Sequence, residues 1–367
     1  MIPFLDLQAG YDELRSEIDE TVSSVLNSGI YIGGSVVEEF ENNWANFCEC
    51  KEAVGVANGF DALVLSLLAL GIGPGDDVLV PAHTFFATWS AVTSVGARPV
   101  AVDVSSSTFN MDVSLLEASI TENTKAVIVV HLYGQPADLR EIQHFCRIKN
   151  IFLIEDAAQA HGAIYENRKI GGHSDLVCWS FYPGKNLGAF GDGGAVTTDN
   201  IDLSRRLRML SNYGSSERYF HDFIGRNSRL DPLQAAILDV KLKYLEIWNS
   251  RRSKIANFYL DNITSKQVSL PFIDVCRSSS WHLFVIMVND RDNLRLFLEN
   301  NGISTLVHYP LLPLQQKSYN GYFINEKCFP NSVNVVDKIL SLPIGPHQKM
   351  EDTAYICSKI NDYFSNV

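Results

Sequence analysis

A lysine flanked by glycines just past an apolar run is the most reactive feature of this chain. Lys185 lies in Ser180-Phe-Tyr-Pro-Gly-Lys-Asn-Leu-Gly-Ala-Phe-Gly-Asp-Gly-Gly-Ala195, where glycines let backbone come close to a ligand. Held partly out of water, such a lysine loses some affinity for protons, and its free amine can condense with a carbonyl. A surface lysine in a glycine-rich turn is the plainer account of this segment taken alone. Two phosphate loops do not fit. A Walker loop needs Ser or Thr after the lysine and Gly well before it, where Asn186 and Trp179 stand, and Gly191-Asp-Gly193 lacks the third glycine of a dinucleotide fingerprint.

Three other segments carry chemistry of a complementary kind. In Ile154-Glu-Asp156-Ala-Ala-Gln159-Ala-His161-Gly162, Asp156 ends an apolar run, and open parallel sheets bind ligands outside the carboxyl ends of their strands. A carboxylate there can pair with a protonated pyridine nitrogen, and Gln159 can reach a ring hydroxyl; a helix cap is the commoner role for such an aspartate. In Val54-Gly-Val-Ala-Asn58-Gly59-Phe60-Asp61-Ala-Leu63 a strand turns at glycine into an apolar helix, whose first amides form a phosphate cradle or an ordinary strand-to-helix turn. Pro81-Ala-His-Thr84-Phe85-Phe86-Ala-Thr88 follows another strand and offers Phe85 as a platform for a flat ring, although an aromatic there is more often core. Singly each has a bland reading. Together they supply a phosphate cradle, a ring platform, a pyridinium partner and an imine-forming lysine, which is what pyridoxal phosphate (PLP) requires.

The elements that must position these residues form an alternating α/β pattern. Strands are expected at Ala53–Ala57, Val78–Pro81, Pro99–Val104, Ala126–His131, Ile151–Glu155, Leu176–Phe181 and Ala195–Thr198. Several are apolar on both faces, as in mainly parallel strands covered by helices. Leu14, Ile18, Val22 and Leu26 mark a helix closed by Gly29, and Ser35 with Glu38 suggests a capping box for the next. Asp231-Pro232 starts a long helix, with Asp as cap, that is expected to run past Trp248. A smaller α/β unit follows, with a strand near His282–Val288, helices near Asp292–Asn301 and Glu351–Phe364, and a connector at His308–Pro313. This divides the chain into a large domain, residues 1–249, and a small C-terminal domain, residues 250–367.

Composition narrows the class. At 367 residues, 46% hydrophobic and 20% charged, the chain can bury two cores. No apolar run approaches the ~20 residues needed to cross a bilayer, and the start MIPFLDLQAGYDEL lacks a signal peptide's basic and apolar segments, so a cytoplasmic protein is expected. A net charge of −12 argues against a nucleic-acid or membrane surface. Seven scattered cysteines and nine histidines without ligand spacing predict reduced thiols and no metal.

At these residues the chain resembles the DegT/DnrJ/EryC1/StrS family of sugar aminotransferases, which have the aspartate-aminotransferase (type I PLP) fold. The likeness runs from Ile2-Pro-Phe-Leu-Asp-Leu7 through Gly71-Ile-Gly-Pro-Gly-Asp76 and Glu155-Asp-Ala-Ala-Gln159 to Leu342-Pro343, and is most specific from Ser180 to Thr198. It implies a mainly parallel seven-stranded sheet with a small C-terminal α/β domain. Lys185 would carry the internal aldimine and act as catalytic base and acid. Asp156 would face the pyridine nitrogen, Gln159 the ring hydroxyl, and Phe85 would stack on the ring, with Gly59, Phe60 and Ser180 on the phosphate. Asn227, in Gly225-Arg-Asn-Ser-Arg229, would reach the phosphate in a neighbouring subunit, implying a homodimer with shared sites. Tyr182, Arg218, Tyr219, His308 and Tyr309 would face the substrate.

Three positions depart from the commoner family pattern: Phe60 replaces Thr or Ser, Arg218 replaces Lys, and Leu314 stands where a histidine is frequent. The resemblance implies amino transfer from L-glutamate to a nucleotide-linked keto-deoxysugar. The Asn-Gly-Phe-Asp-Ala-Leu and Tyr-Pro-Gly-Lys-Asn-Leu-Gly runs favour C3 of a dTDP-linked 3-keto-6-deoxyhexose. A C4 aminotransferase acting on a UDP-linked 4-keto sugar is the main competitor. A PLP-dependent sugar dehydratase, which in this resemblance replaces the lysine by histidine, and a non-catalytic PLP-binding regulatory protein are the others.

Overall fold

The computed structural model describes residues 1–322 and 326–365. Seven strands make the main sheet: β1 (Glu52–Val56), β2 (Asp77–Pro81), β3 (Arg98–Val102), β4 (Thr124–Val130), β5 (Phe152–Asp156), β6 (Leu176–Ser180) and β7 (Gly194–Thr198). Their spatial order is β1-β7-β6-β5-β4-β2-β3. Neighbours pair in parallel except β7, which runs antiparallel to both β6 and β1. All seven expected strands are therefore present, with ends shifted by at most two residues.

Apolar runs without alternation produce this arrangement because both faces of the sheet are covered. Along β4, Val127 and Val129 enter one core while Ala126 and Ile128 enter the other, and β5 splits Leu153 and Ile154 in the same way. Each fully buried Ile or Val removed from water contributes about 1.5–3 kcal/mol, which fixes the register that brings the strand ends level. Helix α1 (Leu7–Ser28) precedes α2 (Ser35–Phe47), whose Phe40 and Trp44 roof the first core, closed by Leu238 and Leu245; the second is covered by α3 (Gly59–Ala69) and Trp89 of α4 (Phe86–Ser94). The second core also takes in Leu312, Leu314, Tyr319, Phe329 and Val336 from the C-terminal third. The unit after it holds three antiparallel strands, β8 (Val268–Ser269), β9 (Phe284–Val288) and β10 (Ile339–Leu342), with helices Arg291–Asn300 and Met350–Ser365.

Three local expectations are corrected. The first helix, Leu7–Ser28, does end at Gly29 with φ 70°, but the next, Ser35–Phe47, has no capping box. Gly34, at φ 87°, occupies the cap position, and its carbonyl receives the Val37 and Glu38 amides while Ser35 is already helical. The helix from Pro232 ends at Leu242, and a second, Leu245–Asn262, starts after a break at Lys243–Tyr244. Asp231 stands at the cap position of the first, but its side chain receives no capping hydrogen bond. The domain division at 249/250 is kept as a proposal; those residues lie within the second of these helices. Pro330–Lys338 and β10 were not anticipated; both are short and sit among residues without a clear period.

Candidate active site

The carboxyl ends of β2, β4, β5 and β6 open on one side of the sheet, and the predicted residues gather there. Asp156, the last residue of β5, is only 7% exposed. Its Oδ2 accepts a hydrogen bond from Thr88 Oγ1 (2.9 Å) and its Oδ1 one from the Ala158 amide (3.2 Å). Burial raises its pKa, and the hydrogen bonds and the nearby Lys185 charge oppose that rise. Each carboxylate oxygen has a further lone pair to offer, so a hydrogen bond from a protonated ring nitrogen beside it could still be accepted.

Lys185 follows β6 in a loop pinned from several sides. Its amide donates to the Tyr182 carbonyl (2.8 Å), the Ala189 amide to Phe181 (2.8 Å), and the Phe190 amide to Gln234 Oε1 (2.8 Å). Asn186 is buried, its Nδ2 donating to Asn249 Oδ1 (2.9 Å) and the Ser280 carbonyl (2.7 Å), and Lys241 Nζ donates to the Gly188 carbonyl. A Cβ on Gly188 would lie 2.3 Å from the Pro183 carbonyl, so only glycine fits that close approach. Burial brings the Lys185 ammonium down to about 8 against the opposing pull of Asp156. An ordinary lysine titrates near 10.4. A useful share of free amine is thus available close to neutrality.

Gln159 is buried, with a fixed orientation. Its Oε1 accepts from the Tyr133 amide (2.5 Å), so Nε2 is turned toward the Tyr309 hydroxyl (3.1 Å) and retains a second proton to donate. Phe85 caps the start of α4, 55% exposed, with its ring 5.3 Å from that of Tyr309. His308 bonds Ser341 Oγ through Nδ1 (2.8 Å), burial lowers it to about 4, and its carbonyl accepts from the Tyr133 hydroxyl.

At the start of α3, Asn58 Oδ1 takes the Asp61 amide (2.8 Å), holding the helix end toward β6. A Cβ on Gly59 would sit 2.5 Å from Ser180 Cβ, and one on Gly194 would sit 2.5 Å from the Asn58 carbonyl. Glycine at both positions keeps open a cradle of helix amides and the Ser180 hydroxyl, suited to a phosphate. Phe60 is partly buried and leans on the second core. Phosphate cradle, carboxylate, amide donor and amine together fit PLP.

The remaining expected site residues are exposed. Tyr182 is 60% exposed. Arg218 and Tyr219 occupy a hairpin between Ser215–Glu217 and Phe220–His221, the guanidinium 5.0 Å over the tyrosine ring. Asn227 is exposed and bridges Asn212, while its neighbour Ser228 is buried and accepts the Ala57 amide (3.1 Å). Leu314 is core. Sequence reasoning passed over Thr88, Tyr133, Asn186 and Lys241. The signal for Thr88 was its place four residues after Thr84, flanking Phe85; the others act through partners remote in sequence. Among the described residues no cluster suited to a metal ion occurs.

Comparison with known proteins points the same way. The profile of the DegT/DnrJ/EryC1/StrS aminotransferase family matches residues 12–361. A dTDP-3-amino-3,4,6-trideoxy-alpha-D-glucose transaminase of Streptomyces venezuelae is 45% identical, over 100% of this chain and 97% of its own. A dTDP-3-amino-3,6-dideoxy-alpha-D-galactopyranose transaminase of Aneurinibacillus thermoaerophilus is 44% identical over 99% of both chains. The crystal structure of S. venezuelae DesV in complex with a ketimine intermediate superposes with a TM-score of 0.97 at 45% identity, covering 99% of this chain and 98% of that one.

Proposed function

The chain belongs to the DegT/DnrJ/EryC1/StrS aminotransferase family, and from that membership we propose that it moves an amino group from L-glutamate to C3 of a dTDP-linked 3-keto-6-deoxyhexose. It is a PLP-dependent nucleotide-sugar aminotransferase of type I fold. The observation that carries the reading is the gathering of Asp156, Gln159 and an amine of lowered proton affinity, Lys185, at neighbouring strand ends. The choice of dTDP and C3 draws support from the two transaminases at 44% and 45% identity, both named for dTDP-3-amino sugars.

When bound, PLP supplies an aldehyde that takes up the amino group and a ring that spreads the charge left on carbon. Asp156 would hold the ring nitrogen protonated, Gln159 Nε2 would donate to the ring hydroxyl, Phe85 would cover the ring, and Ser180 with the Gly59 and Phe60 amides would take the phosphate. Lys185 Nζ would remove the proton from the α-carbon of glutamate and later deliver one to the sugar carbon that gains nitrogen. Arg218, a planar fork suited to a diphosphate, Tyr219, Tyr182, His308 and Tyr309 are assigned to the substrate.

Asn227 is assigned to the phosphate of a second subunit, making the active unit a homodimer. The exposed aromatic and apolar residues around it support that assignment. Among the described residues no helix is long and apolar enough to cross a membrane; a cytoplasmic location is part of the proposal. The test is to add L-glutamate to the PLP-loaded protein without sugar, and then each keto-sugar separately. Release of 2-oxoglutarate followed by amination of the 3-keto sugar is expected. A cofactor band unchanged by glutamate would refute the donor, and turnover of only a 4-keto sugar would refute C3.

A further inference from the structure

As the assigned partner of a protonated ring nitrogen, Asp156 must carry a charge in a place where burial disfavours one. It is nearly shielded from water, and the titratable groups facing it are Lys185 and His131, whose charges favour its ionised form, and Tyr309 and Cys178, whose own ionisation its charge opposes. A carboxylate can only accept hydrogen bonds, so the proton in the 2.9 Å contact belongs to Thr88 and points at Asp156 Oδ2. Thr88 has then spent its one proton. The 3.0 Å contact between the two threonine hydroxyls must therefore be donated by Thr84. Both threonines are buried, at 1% and 0% exposure. Thr84 follows β2 and Thr88 lies in the first turn of α4, so the chain Thr84 to Thr88 to Asp156 has a single allowed direction, ending on the carboxylate.

We propose that Thr88, oriented by Thr84, is a positioning residue that keeps Asp156 ionised and aimed, and thereby keeps the cofactor's ring nitrogen protonated. The inference rests on the assignment of Asp156 to that nitrogen. Hydrogen bonds to the charged form of a buried acid favour that form, and those to charged groups are roughly twice as strong as neutral ones. Without the Thr88 hydroxyl, one carboxylate oxygen loses its donor and the acid drifts toward its neutral state. A ring nitrogen that loses its proton withdraws less charge, so the imine on the same ring binds its own proton more tightly.

The test is a pH titration of the visible band of the PLP-loaded chain, read in the parent, Thr88→Val, Thr88→Ser, Thr84→Val and Asp156→Asn. Thr88→Val, close in shape but without the hydroxyl, should raise the midpoint by about half to one pH unit. Thr88→Ser should restore the parent midpoint, and Thr84→Val should move it the same way by less. PLP should also leave Thr88→Val several-fold faster on dilution. A midpoint unmoved in Thr88→Val while Asp156→Asn shifts it overturns the role of Thr88 alone. If Asp156→Asn also leaves the midpoint in place, the assignment of Asp156 fails, and the inference fails with it. If Thr88→Val fails to fold, Thr84→Val carries the decision: an unmoved midpoint there overturns the oriented chain.

Discussion

The strand-end pocket and the segment Tyr213–Arg229 are both assigned to the cofactor and substrate, yet they are built in opposite ways. Asp156 and Gln159 are 7% and 5% exposed, and each polar atom has a partner: the Ala158 amide two residues on for Asp156 Oδ1, and Thr88, Tyr133 and Tyr309 from remote segments for the rest. In the segment, Tyr219 is 78% exposed, Phe220 67% and Ile224 98%. Its backbone is nonetheless well anchored: a Cβ on Gly214 or Gly225 would fall 1.8 Å and 2.1 Å from facing backbone. A rigid scaffold that holds large apolar side chains in water marks a surface meant to be covered. One region has its polar groups paired within the single chain, and the other, which we assign to a partner subunit or substrate, leaves large apolar side chains exposed.

The sharpest way to break this contrast is to remove the centre of the strand-end pocket. Lys185→Ala should lower transamination by on the order of 10³-fold or more while still retaining PLP through gel filtration, because its phosphate and ring contacts lie elsewhere. Multiple turnover without added amine would remove Lys185 as the catalyst. Asn227→Ala should weaken PLP retention about tenfold, the size of one hydrogen bond to a charged group. Mixed with Lys185→Ala chains it should regain activity, since one site in each mixed dimer is then intact. No recovery, with subunit exchange verified, would make the segment part of its own chain's site. Arg218→Ala should raise KM for the nucleotide sugar several-fold and leave glutamate-driven release of 2-oxoglutarate untouched; an equal loss in both half-reactions would count against a diphosphate contact.

The contrast also explains what could be read from sequence. All seven strands of the main sheet were legible because two-sided burial writes continuous apolar runs, and Asp156 was legible because it ends one of them. The partners that tune these residues were not. Thr88 looks like any threonine in a first helical turn until the fold brings the end of β5 to it. Tyr133 donates from its hydroxyl to the carbonyl of His308, 175 residues away, while its amide holds Gln159. Lys241 reads as a helix-surface lysine, yet its ammonium is 4.9 Å from the Phe190 ring and bonded to the Lys185 loop. Side chains that act across the fold leave no period in the sequence. The exposed segment was found only through family resemblance, since no pattern of its own marks it.

The smallest expected effect lies where the chain ties its ends together, away from both regions. Glu13, on the first helix, receives Arg251 Nη2 (2.8 Å) and Nη1 (3.1 Å), Trp248 Nε1 (2.9 Å) and His347 Nε2 (2.7 Å). Burial alone would raise its pKa, but the bonds from Arg251, His347 and Trp248 prevail and bring it to about 2. An unfolded glutamate titrates near 4.3. The folded value is the lower one, so the stabilisation is complete above that pH and fades as pH falls toward 2. Partial exposure discounts it to about 1–2 kcal/mol. Glu13→Gln should therefore lower the unfolding free energy by that amount at pH 7, and the gap to the parent should narrow steadily below pH 4. The pocket should be indifferent to this change, with the Lys185 cofactor band and its titration unaltered. A gap that stayed constant down to pH 2 would show that Glu13 acts through packing and not through charge, and a shifted cofactor band would mean that the pocket is less self-contained than its hydrogen bonds indicate.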